Sequence, residues 1–167
     1  MPLIQALTTT RRTALLAALT LAMTGCATTS TPINLTDSLA AQPALSTFAD
    51  LANKAGLAET LKSSGPYTVF APTNDAFKAV PTATMDDLAK HPEKLKAVLN
   101  YHIIMGSATA ATIKNSDAKS LEGSNLALAK AGDFVTVENA AVVRPDLKAS
   151  NGVIHTIDTV LLPPKKK

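Results

Sequence analysis

His91, His102 and His155, the single cysteine Cys26 and the adjacent carboxylates Asp86 and Asp87 are the side chains of this 167-residue chain with the widest chemical reach. A metal site legible in sequence shows ligands in pairs at short spacing, and no histidine here has a second His or Cys at such spacing. Asp86 and Asp87 would act as general acid and base only if both reached one substrate. Neighbours on a helix point in different directions, so the pair reads as a solvated face. A Gly-rich phosphate loop, a Gly-x-Ser-x-Gly elbow and a His-Glu-x-x-His pair are all missing from the chain. A Ser/His/Asp triad needs only to meet in space, but nothing nominates its members. The expectation is a chain with no catalytic residue, no metal ligand and no cofactor.

Cys26 carries chemistry of another kind. Residues 1–12 hold Arg11 and Arg12 and no acid, and residues 13–23 (TALLAALTLAM) form an apolar run of signal-peptide length. That run is too short to cross a bilayer as a helix. Met23-Thr24-Gly25-Cys26 resembles a bacterial lipobox with Met in place of the usual Leu, and cleavage before Cys26 would make it the lipid-bearing first residue. Gly25-Cys26-Ala27 also fits ordinary cleavage after Ala27, which would discard the cysteine. The lipoprotein reading is favoured because the only Cys falls where the lipid would be attached. Ala27 after it resembles the pattern sorted to an outer membrane. Thr10–Leu16 resembles a degenerate twin-arginine signal with Ala14 where Phe is usual, so the general secretory route is preferred. Either cleavage leaves a chain that folds without disulfides.

Around these residues the chain divides into a signal peptide (1–25), a polar Thr/Ser tether (26–32), a folded body (33–163) and a short basic tail (164–167). The formal charge of +3 comes from the ends, since residues 13–164 carry 11 basic and 13 acidic side chains. With no Trp and few aromatics, that body offers neither a phosphate-neutralising patch nor stacking platforms. Nucleic acid is excluded as a partner, and the lipid anchor is the one contact expected with a membrane.

The elements that would position these residues change character halfway along. Leu45, Phe48, Ala49, Ala52 and Ala55 recur at helical spacing, with Gly56 to end the turn. Leu57 and Leu61 suggest a short helix before Gly65. Tyr67–Ala71 is strand-like and closed by Pro72. Helical segments follow at Asn74–Val80 and Met85–Lys90. A clearer one opens on Pro92 and carries Leu95, Val98, Leu99 and His102 on one face. Beyond it come short strands at 120–121, 126–130, 134–138, 140–144 and 153–158, punctuated by Gly123, Gly132-Asp133, Pro145 and Asn151-Gly152 as turns. Helices first and strands afterwards predict an α+β fold.

Three segments are more specific. Residues 68–77 (TVFAPTNDAF), 101–106 (YHIIMG) and 151–163 (NGVIHTIDTVLLP) resemble, in order and separation, the hallmark segments of the fasciclin (FAS1) domain family. The resemblance spans roughly 33–162. It implies a wedge of two small β-sheets with a cluster of short α-helices, and an extracellular or surface-attached protein of adhesion or protein interaction rather than catalysis. It implies a partner that is a protein or matrix component of unknown identity. An alternative is a carrier of a small lipophilic ligand, whose cleft the Ala/Leu/Val-rich body could line.

The motif residues themselves read mostly as scaffold: Thr68, Phe70, Pro72, Thr73, Asn74 and Phe77 in the first segment, Asn151, Gly152, His155 and Asp158 in the third. Val69 and Ala71 should share one strand face and Phe70 take the other. Pro72 should stop the strand, with Thr73 or Asn74 capping the next helix. Asn151-Gly152 should supply a turn with φ > 0, and His155 should share a face with apolar neighbours. In animal members the Tyr-His region resembles an adhesion determinant, which makes Tyr101 and His102 the candidate interaction motif. The Asp-Ile and Arg-Gly-Asp sequences of integrin ligands do not occur. The bland alternative puts His102 on the buried helix face, four residues after Val98, pinning that helix to the following strand.

Overall fold

The structure, a computed structural model, describes residues 33–63 and 65–164; the signal segment, the tether with Cys26 and the last three lysines lie outside the described residues. Helices α1 (Leu35–Ala40), α2 (Ser46–Lys54) and α3 (Ala58–Lys62) precede strand β1 (Tyr67–Pro72), and a 3-10 turn at Pro43–Leu45 leads into α2. Helices α4 (Asn74–Ala79), α5 (Thr82–Lys90) and α6 (Pro92–Tyr101) follow it. The remaining strands are β2 (Ile103–Met105), β3 (Ser116–Lys119), β4 (Asn125–Ala131), β5 (Phe134–Val137), β6 (Ala140–Ala149) and β7 (Gly152–Ile157). The chain is α+β.

Local chemistry accounts for most boundaries. In α2, Phe48, Ala49 and Ala52 form one buried stripe, and Gly56 at φ 71° turns the chain out of the helix where an L side chain would be strained. Pro92 opens α6 where its missing N–H is not needed, and Leu95, Val98 and Leu99 bury one face.

The strands run in the order β2-β1-β7-β6-β5-β4-β3. β1 and β7 lie side by side in parallel at the centre of one half, while the other neighbours are antiparallel. The two small sheets are thus joined through β6. Register shifts between Val142 and Arg144 and between Arg144 and Leu147 bend β6, and Asp146 within the bend has φ 57°. Pro145 was expected to end a strand. Instead it lies inside β6, at an irregularity where no ladder bond needs its missing N–H. The free ends of the sheet meet. Ile104 bridges Ser120, and Leu121 N donates to Ile103 O at 2.7 Å. The strand expected at 120–121 lies just before that junction, at Ser116–Lys119, whose mixed residues carry no alternation to announce it.

Two cores result. Leu35, Phe48, Leu61, Val69, Leu99 and Ile154 pack among the helices. Phe70, Tyr101, Leu126, Val137, Ile157 and Leu161 fill the space enclosed by the bent sheet. β1 and β7 divide their alternating side chains between the two, so both strands are covered on both faces and read as apolar runs.

Candidate functional site

The residues marked by the three segments gather around the β1–β7 pair. At the start of β7, Asn151 holds two separate stretches of backbone, the start of α1 and the end of α3, through three hydrogen bonds. Its Oδ1 accepts from Leu35 N at 2.9 Å, and its Nδ2 donates to Leu61 O at 2.6 Å and Ser63 O at 3.0 Å. Gly152 follows it but does not adopt φ > 0, contrary to the expectation of a left-handed turn. Its requirement is space: a Cβ there would stand 2.0 Å from Tyr67 O and 2.9 Å from the Leu35 side chain. Glycine at 152 lets β1 and β7 approach, rather than letting the chain reverse.

At the other end of β1, Pro72 closes the strand and Thr73 caps α4, its side chain accepting from Ala76 N at 3.1 Å. Asn74 reaches elsewhere. It accepts from Thr47 N at 3.0 Å and donates to Pro43 O at 2.8 Å. Leu45 at the start of α2 has no capping side chain of its own. Asn74 therefore caps α2 from about thirty positions further along the chain. Phe77 returns to the helical core.

Both buried histidines are fully bonded. His102 Nδ1 lies 2.8 Å from Val98 O, and a carbonyl only accepts, so Nδ1 carries the proton. Nε2 is then free to accept from Leu161 N at 3.0 Å. The ring pins α6 to the segment after β7, while its own carbonyl accepts from Phe70 N at 2.8 Å. Burial lowers its pKa from the usual 6.5 to about 4, with the bond to Val98 opposing. His155 has the other tautomer. Nε2 donates to Ala108 O at 2.7 Å, Nδ1 accepts from Asp146 N at 3.3 Å, and the ring stacks on Phe70 at 5.5 Å. Burial lowers its pKa too, opposed by the Ala108 bond and the Asp146 charge. Thr68 completes this group by accepting from Ala108 N at 2.8 Å and donating to Gly106 O at 2.7 Å. Both backbone groups of Ala108 are thereby held by two hallmark side chains.

Tyr101 and His102, the candidate interaction motif, expose only 4% and 0% of their surface. The Tyr101 hydroxyl lies 3.2 Å from Asn125 O and 3.3 Å from Glu138 Oε1, and burial with the Glu138 charge pushes its pKa up to about 12. Asp158 ties β7 to β6, its Oδ1 accepting from Ala141 N at 2.9 Å. Asp86 and Asp87 do not converge. Asp87 contacts Lys94 Nζ at 2.9 Å and His91 Nδ1 at 3.0 Å, joining α5 to α6, while Asp86 is exposed.

Two side chains of the same network lay outside the sequence reading. Glu138, at φ 55°, takes Ala127 N at 2.9 Å beside Tyr101, and Asp146 takes Ala110 N at 2.8 Å beside His155. The Glu138-Asn139 step between two alternating strands was a turn signal for the first; an Asp after Pro145 gave none for the second. Among the described residues no cluster of metal-ligating side chains forms and no helix is long and apolar enough to cross a membrane.

A family profile described as the fasciclin domain matches residues 43–163. Protein sll1483 of Synechocystis is 40% identical over 140 residues, which cover 83% of this chain and 78% of that protein. The cell surface glycolipoprotein MPB83 of Mycobacterium bovis is 41% identical over 108 residues, covering 65% of this chain and 48% of the relative. Among solved structures, a FAS1 domain pair from the insect cell adhesion molecule Fasciclin I superposes with a TM-score of 0.63 at 19% identity. That match covers 78% of this chain and 51% of the insect chain, and it fixes the fold alone.

Proposed function

Because this chain belongs to the fasciclin-domain family, we propose that it is a non-enzymatic, exported surface module that makes adhesion or protein-interaction contacts, held to a membrane by a lipid on Cys26. One observation carries the reading. The hallmark polar side chains are spent inward: Thr68, Asn74, His102, Asn151 and His155 each bond backbone of a distant segment. Side chains engaged in this way position a scaffold, and recognition is left to exposed surface. A relative named as a cell surface glycolipoprotein and a fold neighbour named as a cell adhesion molecule support the same reading.

The contact function is tested by deleting the gene and scoring attachment of the cells to surfaces and to one another. Loss of attachment, restored by the full chain, is expected; unchanged attachment overturns the reading. The anchor has its own test. Cys26→Ser should move the protein from the membrane to the soluble fraction, and labelled palmitate should enter the parent chain only. A variant that still fractionates with membranes, beside an unlabelled parent, overturns the lipoprotein assignment.

A further inference from the structure

Among the apolar side chains that β1 and β7 turn toward the helices, β7 places one hydroxyl. Thr156 lies beside Ala71 of the helical core and is 6% exposed. Its hydroxyl has no hydrogen-bond partner among the described residues, and a buried polar group left alone needs an explanation. The neighbouring strand brings a second polar side chain to the same place. Val142 is paired with Ile157 and Arg144 with Thr156, so Val143 is an extra residue in β6, a bulge. Val142 and Ile157 face the sheet core. In an unbroken strand Arg144, two positions after Val142, would face it too. The bulge turns Arg144 to the opposite face instead, beside Thr156. Both line one recess of about 260 Å³, with Gln42 and Thr73 as its other polar residues and Leu45 and Val143 among its apolar walls. Arg144 is exposed and makes no ion pair or side-chain hydrogen bond among the described residues.

We propose that this recess receives an acidic side chain of a partner protein, its carboxylate held by the Arg144 guanidinium and the Thr156 hydroxyl. Each polar side chain of the site has a donor to give. The planar guanidinium offers parallel N–H groups that match the two oxygens of a carboxylate. The Thr156 hydroxyl is unspent. The Thr73 oxygen accepts from Ala76 N and keeps its own O–H to donate, and the Gln42 amide makes no side-chain bond among the described residues. No acid lines the recess to oppose an incoming anion. Size and walls then choose among anions. At about 260 Å³ the space falls below the ~300–1,000 Å³ of sites for whole small molecules and suits a single side chain. Leu45 and Val143 match the methylenes of such a side chain, whereas a sugar acid would press hydroxyls against them. A phosphate would bring nearly two negative charges to one cation. The inference gives the contact reading a partner chemistry and rests on that reading only for its biological use.

The test uses the full exported chain, isotopically labelled in its host and purified in detergent. The probe is glutamate blocked as its N-acetyl amide, so that the side-chain carboxylate is its only charge. The backbone amide resonances of Gln42, Thr73, Arg144 and Thr156 should shift saturably, with a dissociation constant on the order of millimolar for so small a ligand. The N-acetyl amide of glutamine, nearly the same shape without the charge, should bind at least tenfold more weakly. Arg144→Gln and Thr156→Val should each weaken glutamate binding at least tenfold. The first is at an exposed site and the second keeps the branched shape, and thermal unfolding of both variants checks that the fold persists. No saturable shift, equal binding of the two probes, or variants that bind as the parent does would each overturn the proposal. Tighter binding of glucuronate or of N-acetyl-leucine would overturn it too, by assigning the recess to a sugar acid or to a chain end. The attachment assay separates the two readings. Probe binding by a chain whose gene deletion leaves attachment unchanged keeps the site and removes the adhesion role; lost attachment without probe binding does the reverse.

Discussion

His102 and His155 are neutral groups in the only tautomers their partners permit. A proton added to His102 Nε2 would face the Leu161 N–H it now accepts from, and one added to His155 Nδ1 would face Asp146 N–H. The linkage sign follows from where the proton binds. An unfolded His102 titrates near its ordinary 6.5, whereas the folded one is held at about 4. Between those values the unfolded chain binds a proton that the folded chain refuses, so stability falls as pH drops from 6.5 to about 4 and this contribution levels out below. At about 1.4 kcal/mol per pH unit the loss is on the order of 3 kcal/mol, and His155 adds to it in the same direction. Urea unfolding at pH 7.5 and pH 4.5 measures it. His102→Gln, which keeps a donor and an acceptor but does not titrate, should cost about 1–3 kcal/mol at pH 7.5 and flatten the dependence. An unchanged slope would remove His102 as its source.

Helix α2 has a start that its own sequence does not provide, and Asn74 supplies it through Thr47 N and Pro43 O. Asn74→Ala should cost about 1–2 kcal/mol, the usual range for a lost cap, although the substituted residue belongs to another helix. Hydrogen exchange should quicken first in the opening turn of α2; quickening confined to α4 would contradict the assignment. Gly152→Ala sets a harder condition. The added Cβ meets backbone at 2.0 Å, so β1 and β7 must separate and soluble folded protein should be lost, whereas Gly132→Ala, in open space at φ 62°, should cost only about 1 kcal/mol. The contrast shows what was legible. Apolar spacing in α2 and α6, the covered strands β1 and β7 and the Thr73 cap are local patterns, and each could be read from neighbouring residues. The reason for Gly152 could not, because it lies in Tyr67, 85 positions away on a strand paired only after folding. Pro145 is a second case: a residue that ends a strand locally is accommodated in β6 where the pairing with β7 shifts register, which only the folded sheet reveals. The inward use of Tyr101 depends likewise on Glu138 and Asn125, which reach it only across the closed sheet.

Across the molecule the two cores share a wall. Val69 and Ala71 face the helices from β1 while Phe70 faces the enclosed sheet, and on β7 Ile154 and Ile157 divide in the same way. Side chains that alternate along one strand cannot be released on one side while the strand keeps its place on the other. His102 and Asn151 reinforce this coupling, the first joining α6 to Leu161 of the second core and the second joining α1 and α3 to the start of β7. The described chain should therefore unfold as one unit, as domains of this size ordinarily do. Leu99→Ala opens a cavity in the helical core and Leu126→Ala opens one in the sheet core, each at a cost of about 2–5 kcal/mol. Calorimetry should show both variants lowering one common transition. The double variant should add the two costs to within about 0.5 kcal/mol, since the residues belong to different cores. A scan that resolves two transitions, with Leu126→Ala moving only one, would mean that β1 and β7 do not transmit the loss, and that the wedge is two folding units rather than one.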